Sequence, residues 1–136
     1  MIETLEAHLH AWLRRSWARR CLWGIWAALL AAVIYGSIAS AFAPPGGLGL
    51  DKLAHFLAYA CLAVVPALLT GGLRAVVPWA VFVCLLGAGL EAAQSWMAAR
   101  EASLADLVFN VAGVVAGTSI GLAMARRGTV IGKVTA

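Results

Sequence analysis

The chain has 136 residues, 63% of them hydrophobic and 12% charged, with a formal net charge of +4 and a mean hydropathy of +0.92. A soluble domain is roughly half apolar and a quarter charged, so this composition excludes an ordinary soluble enzyme and calls for a membrane. The length suffices for one compact bundle and leaves no room for a separate soluble catalytic domain.

The first element, residues 1–20, places Ile2, Leu5, Leu9, Trp12, Leu13 and Trp17 along one helical stripe, with Arg14, Arg15, Arg19 and Arg20 elsewhere. That pattern predicts an amphipathic helix lying on an anionic leaflet, an anchor or topology signal rather than a partner-binding helix. Four apolar runs follow, at 21–43, 53–70, 75–97 and 103–125, each long enough for a hydrocarbon core of roughly 30 Å. The breaks between them, PPGGLGL at 44–50, GGLR at 71–74 and AARE at 98–101, are short and rich in turn residues. Backbone groups cannot stay unpaired in lipid, so the runs must be helices. Pro66 is expected to kink the second, and Pro78 to sit in the first turn of the third. The basic start, the first apolar run and AFA at 41–43 also fit a signal peptide. That run is long for such a segment, and Pro44 would follow the cut. The predicted fold is all-α: a bundle of four antiparallel transmembrane helices over 21–126, preceded by the interfacial helix and followed by a short tail, 127–136. Cys21, Cys61 and Cys84 form no CxxC pair and read as small core residues without a redox role.

Orientation follows from the flanking cations. Arg14, Arg15, Arg19, Arg20, Arg74, Arg126, Arg127 and Lys133 fall on one side, and only Lys52 and Arg100 on the other. Both termini are therefore expected in the cytoplasm, and the positive charge serves topology rather than nucleic-acid binding. With this topology Asp51, Lys52 and His55 open the second helix on the outer face. Glu91 and Gln94 close the third there, Arg100 and Glu101 lie in the outer loop, and Ser103, Asp106 and Asn110 open the fourth.

Helical spacing sorts these groups by face. Asp51, His55 and Tyr59 step by four, and Asp106 and Asn110 stand above Gly113, Gly117 and Gly121, a small-residue ridge that lets helices approach closely. Glu91 shares a stripe with Gly87 and Cys84. Ionisable groups in a membrane cost about 2.5–3.5 kcal/mol each on insertion scales, so several together demand partners or a polar ligand. Asp51 could orient His55 as a base, or the two could only tie helices together. Glu91 is a second acid or base candidate, or a structural partner of Arg100 or Lys52. Those two cations suit a phosphate or carboxylate. A metal held by Asp51, His55, Glu91 and Asp106 as mixed oxygen and nitrogen ligands is the less favoured reading and none is expected, because one histidine is available and no HxxxH or comparable pair occurs; His8 and His10 lie on the cytoplasmic side. No GxSxG, phosphate loop or dinucleotide fingerprint is present, and no cofactor is implied.

The blocks DKLAHFLAY at 51–59, GAGLEAAQ at 87–94 and REASLADLVFNVAGVVAG at 100–117 together resemble the VanZ-like family of small bacterial membrane proteins. The matching residues are Asp51, Lys52, His55, Phe56, Tyr59, Glu91, Gln94, Arg100, Ser103, Asp106, Asn110, Gly113 and Gly117, and the likeness spans about 51–121. The resemblance implies a multi-pass protein of the bacterial inner membrane, an envelope context and a link to resistance against the glycopeptide teicoplanin. It does not imply a particular reaction.

These readings converge on an outward-facing polar pocket that binds the headgroup of an envelope lipid, such as a lipid-linked saccharide or phosphate. A catalytic version would use Asp51, His55, Glu91 and Asp106 for acid–base work, with Lys52, Tyr59, Gln94, Arg100, Ser103 and Asn110 binding the ligand. Gly113, Gly117 and Gly121 would pack the helices. Two alternatives remain open: a scaffold that uses the glycine ridge and outer charges to hold partners, a second copy of the chain included, and a proton-coupled transporter. The nearly apolar inner halves of the helices count against the transporter.

Overall fold

The computed structural model describes residues 15–39, 49–96 and 103–134, with side chains through 127. Among the described residues there are four helices and no strand: α1 Ser16–Ile38, α2 Leu50–Thr70, α3 Leu73–Gln94 and α4 Leu104–Val134. All four are long and apolar enough to cross a membrane, α4 through Leu104–Arg127. The expected interfacial helix lies mostly outside the described residues. Residues 16–20 are continuous with the first membrane-length helix, which begins at Ser16. Hydropathy stops at the arginines, but the helix does not. Arg19 reaches α2 and donates to the Leu69 carbonyl at 3.0 Å, one of the last four carbonyls that an α-helix leaves without an internal partner.

α2 ends in a left-handed Gly71 (φ +68°) whose N–H returns to the Ala67 carbonyl at 3.0 Å, the ending that glycine adopts at least cost. Only Gly71 and Gly72 separate α2 from α3. The tight connection starts α3 two residues before the predicted 75, so Pro78 falls in its second turn and not its first.

The most extensive helix contact joins α2 to α4. Gly113 lies against the Phe56 carbonyl, Gly117 against that of Ala60 and Gly121 against that of Val64. Both sequences advance by four at each step, so these two helices run in the same sense. A Cβ at any of the three positions would overlap α2 backbone. α1 crosses the other side of α2, where the Trp26 indole N–H donates to the buried Leu62 carbonyl at 2.8 Å. Leu62 stands four residues before Pro66, which has no N–H to give it. Trp26 thus satisfies the carbonyl that the proline frees, the repair an apolar environment requires. Trp23 and Trp26 also pack on Trp79 of α3, with ring centroids 4.8 and 5.4 Å apart. Tyr59, Leu62, Ala63, Val83 and Val114 complete the buried core around Trp26.

Of the three cysteines only Cys84 joins the core: it is half-buried and packs against it, whereas Cys21 and Cys61 are exposed on the helix surfaces. A small apolar side chain loses nothing against lipid tails, which are as apolar as a protein core, so hydrophobicity alone does not sort inside from outside here.

Candidate functional site

One end of the bundle gathers the first two turns of α2, the last turn of α3 and the first two turns of α4. Ser103 begins α4: its carbonyl accepts the first helical N–H, from Leu107, at 3.2 Å, and its hydroxyl accepts the Asp106 N–H at 3.4 Å. This is one half of a capping box, in which an acid three residues on would normally return to the N–H of the cap residue. Here Glu91 of α3 takes that place, accepting the Ser103 N–H at 3.3 Å. The Asp106 carboxylate is thereby left out of the cap, and its buried Oδ1 has no hydrogen-bond partner among the described residues.

His55 Nδ1–H donates to Asn110 Oδ1 at 3.0 Å. Because an amide oxygen only accepts, the contact calls for a proton on Nδ1, and the neutral imidazole then carries its lone pair on Nε2. That nitrogen faces Asp106 Oδ2 at 3.9 Å, too far for a hydrogen bond. Asn110 is 1% exposed, and its Nδ2 has no partner among the described residues. His55, Glu91 and Asp106 each offer one ligand-type atom, all within 4.8 Å of one another.

The expected pairing of Asp51 with His55 is replaced by a different one. Lys52 Nζ donates to Asp51 Oδ2 at 3.0 Å, with both side chains partly exposed. The group that orients His55 comes instead from α4. Gln94 is buried and donates to the Ser37 carbonyl at 2.8 Å, which ties α3 to the end of α1. Tyr59 is 2% exposed and stands behind the cluster. Arg100, the other expected cation, lies outside the described residues.

Gly87 joins the set from a position given no role beyond sharing Glu91's stripe. A Cβ there would lie 2.9 Å from Tyr59 Cε1 and 3.2 Å from Asn110 Nδ2. Its absence makes room for the amide that orients His55, and its place one turn before Glu91 was the signal available in the sequence. Further along α3 and α4, Ala80, Val81, Cys84, Leu85, Val114 and Val115, with Thr118 and Ser119, line a largely apolar groove of about 370 Å³.

Comparison of the chain with protein-family models, curated proteins and solved structures finds no match.

Proposed function

We propose that the chain is a VanZ-like protein of the bacterial inner membrane whose four helices cross alternately, with both termini in the cytoplasm. In this reading the polar end opens outward and binds the headgroup of an envelope lipid or lipid-linked precursor. One observation carries it: His55, Glu91, Asp106 and Asn110, from three different membrane-length helices, converge at a single end of the bundle. A ligand with its tails in the membrane and its head at the boundary meets both requirements of such a site. The apolar groove between α3 and α4 begins about two turns from Glu91 and offers an acyl chain a course beside the cluster.

The Asp51–Lys52 pair, partly exposed at the start of α2, supplies charge at the mouth, and Arg100, in the sequence between α3 and α4 and outside the described residues, is the second cation suited to a phosphate. The glycine ridge fits this reading better than the scaffold one, because α2 already covers it and no partner can use it.

Native mass spectrometry of the gently purified protein, beside His55→Ala and Glu91→Gln, tests the proposal. A specific anionic or glycosylated lipid that co-purifies with the wild type and is lost in both variants is the expected result. Equal lipid profiles for all three folded proteins would sink it. A mass change in a supplied lipid would extend binding to turnover.

A further inference from the structure

We infer that His55, Glu91 and Asp106 form a binding site for one divalent transition-metal ion of the Zn²⁺ or Mn²⁺ type. The inference rests on the headgroup reading for its purpose and on this geometry for its ligands.

Four observations point the same way. The three ligand atoms lie within 4.8 Å of one another, and the 3.9 Å between His55 Nε2 and Asp106 Oδ2 is no hydrogen bond. It is close to the roughly 3–4 Å between two atoms that each lie about 2.1 Å from a shared cation. Asn110 accepts from His55 Nδ1, which selects the neutral tautomer with its lone pair on Nε2 that a ligand needs, through the kind of outer hydrogen bond that metal-bound histidines almost always make. Asp106 Oδ1 is buried without a partner, although a carboxylate desolvated in this way is costly. Finally, Lys52 donates to Asp51 and acts on Asp106 only at longer range, and among the described residues no lysine or arginine forms an ion pair with Glu91 or Asp106. A dication would neutralise two clustered carboxylates that no lysine or arginine pairs among the described residues.

One imidazole with two carboxylates suits Zn²⁺ or Mn²⁺ better than Ca²⁺ or a thiolate-seeking ion. Three protein ligands leave a coordination position open, where a headgroup phosphate oxygen or a water could bind. Sequence spacing counted against a metal because each ligand comes from a different helix, so the separations that signal a metal on one helix never arise; the structure keeps His55, Glu91 and Asp106 of the four ligands considered and turns Asp51 to Lys52.

The test is titration calorimetry of the full chain in phosphatidylcholine nanodiscs with ZnCl₂ and, separately, MnCl₂, after chelator treatment. One ion per chain is expected. Affinity should fall at least tenfold in His55→Ala, Glu91→Gln and Asp106→Asn, and stay unchanged in Cys61→Ala, whose thiol is exposed elsewhere on α2. Asn110→Ala, which removes only the orienting amide, should weaken binding about 10–100-fold. Absence of stoichiometric binding to helical, monodisperse wild type, or equal affinity in the two amide variants, would overturn the inference. Glu91→Gln and Asp106→Asn keep the shape of the side chains they replace, so they decide the matter even if His55→Ala does not fold. Lipid retention without ion binding would remove the metal and leave the headgroup reading. Ion binding without any specific lipid would do the reverse.

Discussion

Along the seam between α2 and α4, Gly113, Gly117 and Gly121 set one backbone against another, and the polar groups beside it are paired except the Thr118 hydroxyl, which is buried without a partner among the described residues. Trp26 takes the carbonyl freed by Pro66, Arg19 takes that of Leu69, and Thr70 donates to the Pro66 carbonyl at 2.8 Å. At the polar end of the same two helices, Asp106 Oδ1 and Asn110 Nδ2 are buried without partners among the described residues, and His55 Nε2 faces a carboxylate it does not bond. A buried polar group that is satisfied holds a fold together, and one that is not costs stability unless something binds it. The contrast therefore divides the molecule into a part built for stability and a part built for a ligand, and each half of that division can be attacked separately.

The largest effect should come from the seam. Gly117→Val places a side chain against the Ala60 carbonyl, and because the obstacle is backbone, α2 and α4 must separate along their length. Overpacking of this kind costs about 1–3 kcal/mol or more, and loss of the folded monomer in a micelle unfolding assay is expected. This variant cannot distinguish a scaffold from a ligand-binding protein, since it breaks the fold that both require.

Next is Trp26→Phe, which keeps most of the ring contacts but removes the N–H donated to Leu62. Leaving that carbonyl buried and unpaired should cost about 1–3 kcal/mol. The same change in a Pro66→Ala background should cost less, because the substituted residue brings back a backbone N–H for the Leu62 carbonyl. A double-mutant cycle measured by reversible unfolding reads the difference. Additivity would show that the indole N–H is not what repairs the proline.

The polar end should respond with the opposite sign. Asp106→Ala removes a half-buried acid whose buried Oδ1 is orphaned, so the metal-free protein is expected to be unchanged or more stable by up to about 1 kcal/mol. Lipid and ion binding should be lost in the same variant. A destabilisation as large as that of Trp26→Phe would erase the division, making the polar end another part of the packing.

The same contrast explains what could be read in the chain. Four membrane-length helices were legible because hydropathy needs only composition over about 20 residues. The start of α1 was not, because Arg19 and Arg20 break the apolar run while Arg19 serves as a partner for α2. Periodicity identified which residues share a face of one helix, such as Asp51 with His55, or Asp106 with Asn110. It could not supply how the helices are rotated against one another. That rotation decides that His55 meets Asn110 and that Asp51 turns to Lys52. Likewise the four-residue step of the glycines was visible in advance, whereas the α2 carbonyls they meet are a property of the packing.

The smallest predicted effect separates the two roles of Ser103, which stands where stability and ligand binding touch. Its hydroxyl caps α4 through a long 3.4 Å bond to the Asp106 N–H, while its backbone N–H holds Glu91 at 3.3 Å. Ser103→Ala deletes the first and keeps the second. Loss of a hydroxyl cap costs about 0.5–2 kcal/mol, and a bond this long belongs at the low end. Because Glu91 is held by a backbone group that the substitution leaves in place, ion affinity by calorimetry should stay within about twofold of wild type while unfolding moves by roughly 0.5 kcal/mol. Should affinity fall tenfold instead, the cap itself would be setting the position of Asp106, and the boundary between the two halves of the molecule would have to be drawn one residue further along α4.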